Sequence, residues 1–223
     1  MAFIDFGKRS INLKIVYYGP GKSGKTTNLK KIYEVIRPES RGELTAIATQ
    51  QDRTLFFDFL PLESNVIKGF SVRFQLFTVP GQVLYRKTRK VVLVGADGIV
   101  FVADSQWAKV QEDVESLKDL DDNLFETGKS IDSLPFVLQY NKRDLADVAP
   151  AHYLRFLLSR GALHAPEVEA VAVQTTGVFE TLNTICRMTL LDFARKKGLE
   201  VRSASDNVCV EAPERRREPC LSA

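Results

Sequence analysis

Cysteine is scarce in this sequence. Cys186, Cys209 and Cys220 lie far apart and are odd in number, which builds neither a disulfide framework nor a zinc site and suits a reducing cytoplasm. An excess of one charge is also missing. With 31 basic against 28 acidic residues the net charge is +3, so composition demands neither a nucleic acid nor an acidic membrane surface. Long hydrophobic runs are absent, and the start, Met1-Ala2-Phe3-Ile4-Asp5, has no basic region followed by an apolar stretch. Neither a leader nor an integral membrane segment is expected. Ala2 stands where N-myristoylation needs glycine, and no internal repeat is visible. What remains is 44% hydrophobic and 26% charged in 223 residues, enough for one α/β domain and short for two.

The apolar pattern supplies the elements. Ile11 to Tyr18 is a β-rich run ending in glycine, and Thr26 to Ile36 reads as a helix stopped near Pro38. Arg37 to Arg53 is polar and turn-rich and reads as an exposed connection. Thr54 to Leu60 (TLFFDFL) and Phe70 to Thr78 (FSVRFQLFT) read as a hairpin joined across Pro61 to Gly69. Gly98 to Asp104, Leu134 to Tyr140 and Glu167 to Val173 are near-continuous apolar runs suited to strands buried on both faces. From about Ser105, the residues Trp107, Val110, Val114, Leu117, Leu120 and Leu124 recur at helical spacing as a core-facing stripe. Pro150 to Arg160 is a shorter helix with Gly161 past its end. The last helix, Val178 to Lys197, closes on Arg195-Lys196-Lys197 before Gly198. The expected fold is three-layer α/β, with a six-stranded, mostly parallel sheet, one antiparallel hairpin and about five helices. It occupies residues 1–198, and residues 199–223, dominated by Ser, Glu, Arg and Pro, are expected to form a flexible polar tail.

Gly19-Pro20-Gly21-Lys22-Ser23-Gly24-Lys25-Thr26 fits G-x-x-x-x-G-K-[ST] in the setting that gives the pattern meaning, a strand entering and a helix leaving. Backbone N–H groups from Gly19 to Thr27 and the helix N-terminus then converge on a phosphate chain. Lys25 would neutralise the β- and γ-phosphates and the Thr26 hydroxyl would ligate Mg²⁺. Asn141-Lys142-Arg143-Asp144 follows a later strand and matches N-K-x-D. The Asp144 carboxylate can accept from guanine N1–H and the 2-amino group, a donor pair adenine lacks. Ala172, by its position at the end of the last strand, would offer a backbone N–H to guanine O6. GTP or GDP with Mg²⁺ is the ligand set these motifs predict.

With Thr78-Val79-Pro80-Gly81-Gln82 added, the chain resembles the Ras-like P-loop GTPases, whose pattern at this point is D-x-x-G-Q. By that resemblance the Gly81 N–H binds the γ-phosphate and Gln82 orients the attacking water. Thr78 departs from the pattern, since the acid that holds Mg²⁺ through water is missing. The combination GPGKSGKTTNLKKIY, DRTLFFDFLPL, TVPGQ, VFVADSQ and QYNKRDL is similar to the bacterial MglA subfamily of gliding motility and cell polarity, from about Phe3 to Lys197. There Thr at this position is usual. The resemblance implies a switch threonine at Thr54 that reaches Mg²⁺, and an intrinsic arginine finger at Arg53, the alternative being a solvated surface arginine. It also implies a roadblock-type partner that stimulates hydrolysis, GTP-dependent effectors, and a cytoplasmic protein for which recruitment to cell poles is open. GTP would order the Arg37–Thr54 and Gly81–Arg89 segments.

Asp58 is a lone acid inside TLFFDFL. It either takes over the metal-water role that Thr78 cannot fill or is an edge-strand acid facing water. The C-terminal Cys220-Leu221-Ser222-Ala223 is formally a C-a-a-X box, but Ser222 is not aliphatic. Two other readings stay open: a nucleotide-gated binding module with negligible hydrolysis, and a lipid-anchored scaffold resting on Cys220.

Overall fold

The computed structural model describes residues 3–48, 53–59, 67, 70–80, 86–159 and 165–199, with backbone alone at 3, 46–48, 53–59, 86 and 87. The strands are β1 (Phe3–Asp5), β2 (Ser10–Tyr18), β3 (Thr45–Ala48), β4 (Arg53–Phe59), β5 (Ser71–Thr78), β6 (Gly98–Asp104), β7 (Phe136–Asn141) and β8 (Glu167–Glu169). The α-helices are α1 (Lys25–Val35), α2 (Arg86–Leu93), α3 (Val110–Phe125), α4 (Ala151–Leu158) and α5 (Val178–Lys197). The sheet order is β3-β4-β5-β2-β6-β7-β8, with β1 pairing β2 off this path. β5, β2, β6, β7 and β8 run parallel, while β4 is antiparallel to both neighbours and β1 to β2.

The side-chain alternation of the central strands builds two cores. Ile11, Leu13, Ile15 and Tyr17 of β2 join Leu29 and Ile32 of α1 and Leu182, Ile185 and Cys186 of α5 on one face. Val16 and Tyr18 join Leu117, Leu120 and Leu124 of α3 and Leu154 and Leu158 of α4 on the other. That is the expected three-layer arrangement. Every parallel strand ends its chain direction on the same edge of the sheet, and the loops there meet.

The element reading differs from the structure in a few places, each with a local cause. The sheet holds two additional short strands. β1 is only three residues long, too short for periodicity to register. β3 (TAIA) falls inside the segment read as an exposed connection, and pairs Thr45↔Phe56 through Ala48↔Arg53; alanine has little strand preference, so the neighbour's backbone imposes the strand. β7 starts at Phe136 rather than Leu134 because Pro135 has no N–H for the ladder. β8 stops at Glu169 and the chain turns into a 3-10 turn, Ala172–Gln174. Trp107 leaves the stripe: it sits in a 3-10 turn before α3 and is 45% exposed. The helix-stop glycine Gly161 lies outside the described residues. α5 keeps the expected bounds, with Gly198 at φ 62°.

Candidate functional site

The connection between β2 and α1 is shaped by close backbone approaches. Gly19 has φ 140°, and a Cβ there would lie 2.2 Å from the Val102 carbonyl oxygen of β6. Gly24, at φ 105°, would place a Cβ 2.1 Å from Asn141 Nδ2. Glycine alone satisfies both positions. Lys22 adopts φ 61° without being glycine, a conformation that costs a side-chain-bearing residue about 1 kcal/mol. Gly21, between them, completes the loop. The Lys25 side chain is 5% exposed and folds back along the loop, donating to the Gly19 carbonyl at 2.9 Å and to that of Pro20 at 2.5 Å. Its ammonium is thus held at the mouth of α1. That helix has no side-chain N-cap and no acid in its first turn. An uncapped helix start with its positive dipole end, beside a fixed buried cation, makes a receptor for an anion. Thr26 and Thr27 are half-buried in the first turn, and Ser23 is fully buried.

Asn141 at the end of β7 ties this loop to the next one. Its Nδ2 donates to the Ser23 carbonyl at 2.7 Å, and its Oδ1 accepts the Ala172 N–H at 2.9 Å. The amide N–H expected to meet a base carbonyl is therefore spent on Asn141. Val173, the next residue of the turn, is 63% exposed. Lys142, at φ 66°, donates to Asp104 Oδ2 at 2.5 Å; Asp104 is fully buried at the end of β6. Asp144 is exposed beyond it. A cavity of about 200 Å³ opens between the phosphate-loop residues, Asn141, Lys142 and Asp144, and residues 171–173.

Beneath Asp104 lies an acid the motifs do not mark. Asp113 of α3 is fully buried and accepts the Asp104 N–H at 3.0 Å. Burial, helped by the Asp104 and Glu112 charges and opposed by that hydrogen bond and by Lys25, pushes its carboxyl up to about 8. Asp104 could have been found as an acid at the C-terminal end of a central parallel strand, where ligands of open α/β sheets bind. Asp113 carries no such signal.

Thr78 ends β5 in register with Tyr17 and is fully buried. Gly81 and Gln82 lie outside the described residues. Arg53, Thr54 and Asp58 are placed by backbone only. Arg53 and Thr54 begin β4 opposite Ala48 and Ile47, at the end of the sheet where Thr78 stands. Asp58 pairs with Gln75, three residues back from Thr78, roughly 10 Å along the strand at the usual rise. The register therefore does not bring Asp58 beside Thr78. Among the described residues no cluster of three acidic, His or Cys side chains forms a metal site, and no helix is long and apolar enough to cross a membrane.

The family model of the ADP-ribosylation factor (Arf) family matches residues 2–189. The mutual gliding-motility protein MglA of Myxococcus xanthus is 48% identical over 198 residues, covering 89% of this chain and 100% of that protein. An uncharacterized protein of Methanocaldococcus jannaschii is 27% identical over 178 residues, 79% of this chain and 97% of that one.

Proposed function

The chain belongs to the Arf family of small GTPases and is of the MglA type, and from that premise we propose that it binds GTP and GDP with Mg²⁺, hydrolyses GTP, and works as a switch in bacterial polarity or motility. The observation that carries the binding half is Asn141, whose one carboxamide holds both the Ser23 carbonyl and the Ala172 N–H. It fixes the phosphate loop at a set distance from the turn that meets the base. Lys25 and the open N-terminus of α1 take the phosphates. Asp144 reads the guanine edge, Lys142 is held in place by Asp104, and the N–H of Val173, whose turn neighbours Ala172 and Gln174 give theirs to Asn141 and Val171, meets O6.

Mg²⁺ would be held by the Thr26 hydroxyl, with that of Thr54 as the second. Bound there, the ion would neutralise charge between the β- and γ-phosphates. In the described register Asp58 stands away from this end of the sheet. If Asp58→Ala leaves Mg²⁺-dependent GTP affinity unchanged, it has no part in holding the ion. For hydrolysis we assign Gln82 to orient water, Gly81 to the γ-phosphate and Arg53 to the charge that develops on the transferred phosphoryl. A roadblock-type activating partner, GTP-dependent effectors, a cytoplasmic location and recruitment to poles complete the proposal. The 48% identity to a gliding-motility protein supports the motility assignment.

The missing acid at Thr78 favours one second reading, a nucleotide-gated binding module that barely turns over. Single-turnover hydrolysis of GTP, with and without a roadblock-type protein, separates the two. Release of phosphate that Gln82→Leu slows tenfold or more supports the enzyme, while none in either condition leaves the binding module.

A further inference from the structure

Three polar residues are completely buried on the α1–α5 face of the sheet, where the surrounding side chains are apolar: Asn28 of α1, Gln139 of β7 and Thr181 of α5. They form one chain of hydrogen bonds. Asn28 Nδ2 donates to the Gly24 carbonyl at 3.0 Å and to Gln139 Oε1 at 2.8 Å. Gln139 Nε2 returns a bond to Asn28 Oδ1 at 3.0 Å and gives a second to Thr181 Oγ1 at 2.9 Å. The Thr181 hydroxyl donates to the Gly177 carbonyl at 2.7 Å. Both ends of the chain are carbonyls, which only accept, so every amide and hydroxyl hydrogen is used and the direction of each bond is fixed. A satisfied buried network of this kind specifies a unique arrangement, whereas apolar side chains of the same volume would pack in several.

The three members lie just behind three different parts of the nucleotide site. Asn28 follows Lys25 by one helical turn, and the Gly24 carbonyl it holds belongs to the phosphate loop. Gln139 is two residues before Asn141 on the same face of β7. Thr181 binds Gly177, where the turn that contains Ala172 enters α5; that turn is closed by the Val171 N–H on the Thr176 carbonyl at 3.0 Å. Asn141 ties phosphate loop to base turn directly, and Gln139 repeats the tie one pleat deeper, between the helices that carry those two segments.

We propose that Gln139, with Asn28 and Thr181, is a positioning residue that sets the distance between the phosphate end and the base end of the site, and so governs how long a guanine nucleotide is held. The inference rests on the nucleotide-binding reading above. A nucleotide is a two-ended ligand. Once one end is bound, the second binds at an effective concentration that depends on how rigidly the spacing is kept. Loosening the spacing lowers affinity for the whole ligand and leaves each end's own affinity untouched.

The experiment compares GDP with guanosine and with inorganic pyrophosphate, each of which fills one end, on the full chain and on Gln139→Leu. We expect GDP to leave at least tenfold faster from Gln139→Leu, with guanosine and pyrophosphate affinities, measured by ligand-observed NMR, within twofold of the unaltered protein. Should Gln139→Leu fail to fold because Asn28 is left unpaired, the triple variant Asn28→Leu, Gln139→Leu, Thr181→Val removes the whole chain with similar volumes and carries the same expectation. GDP retention equal to the unaltered protein overturns the proposal. So does a loss for guanosine or pyrophosphate as large as that for GDP, which marks general damage. If the unaltered protein itself does not bind GDP, the nucleotide reading fails first, and this inference with it.

Discussion

A methyl group on Gly24 would stand 2.1 Å from Asn141 Nδ2 at a backbone φ of 105°, so Gly24→Ala must break the bond that joins the two halves of the site or shift the loop. Its cost combines left-handed strain with a lost buried hydrogen bond, about 2–4 kcal/mol. Gly198, at φ 62° with nothing within 4 Å of a Cβ, provides the contrast, since Gly198→Ala carries the strain alone, about 1 kcal/mol. Urea unfolding of the two variants should rank them in that order, and only Gly24→Ala should lose GDP affinity by tenfold or more. Asp113 gives a second test. Its folded carboxyl titrates near 8 against about 3.9 in an unfolded chain. Between those values the folded state binds more protons than the unfolded one, so its contribution to stability is complete below about pH 4 and fades as pH rises through about 8. Stability should thus fall from pH 6 to pH 8 by up to about 1.4 kcal/mol per unit from this group. Asp113→Asn should flatten that slope; an unchanged slope would mean that the carboxyl is ionised throughout.

α2 is joined to α3 by ion pairs as well as by apolar packing. Val91 is 71% exposed, while Leu93 is buried and Val92 packs beside it on the α3–α4 core. Lys90 meets Glu126 at 2.6 Å in an exposed pair just past the end of α3, and Arg89, nearly buried, places its Nε 2.9 Å from Asp119 Oδ2 of α3. The same carboxylate accepts from the Tyr18 hydroxyl and, at 3.0 Å, from Asn123 Nδ2. Burial and Asp119 together hold the Tyr18 phenol far above its usual range. Tyr18 is the last residue before the phosphate loop, so this cluster joins α2, α3 and the root of the loop. Arg89→Met keeps the volume and removes the cation. Asp119 retains two donors and some solvent, so the expected loss is about 1–3 kcal/mol rather than the larger penalty of a stranded buried charge. Hydrogen exchange should accelerate in 86–93 well before it does in α3. Equal acceleration in both helices would show that Arg89 does not pin α2 in particular.

Across the whole molecule, legibility followed the strength of the local physical signal. β6 is a seven-residue run, apolar up to Asp104 and buried at every position, and α5 has a glycine stop and a basic last turn, so both were readable to their ends. The residues that the motifs mark were readable too: Gly19, Asn141 and Asp144 stand at or just past strand ends and Lys25 at the start of α1, positions where backbone geometry and charge favour those types. β3 was not, since its pairing comes from a neighbour. Nor were Asn28, Gln139 and Asp113, because the local sequence around a polar residue does not say which partner folding will bring to it. The far end of the chain gives the last test. After α5 the Gly198 N–H bonds the Arg195 carbonyl at 3.3 Å and the Leu199 N–H bonds that of Ala194 at 2.9 Å. Leu199 itself packs on the α1–α5 core. The cap is thus complete at Leu199, and nothing in the composition of 200–223 supports a further core. A chain ending at Leu199 should unfold within about 0.5 kcal/mol of the full chain and bind GDP equally well. One ending at Lys197 loses two cap bonds and the Leu199 contact, and should be less stable by about 1–2 kcal/mol. If instead the chain ending at Leu199 is the one that weakens, residues 200–223 make contacts of their own and the domain does not end at 198.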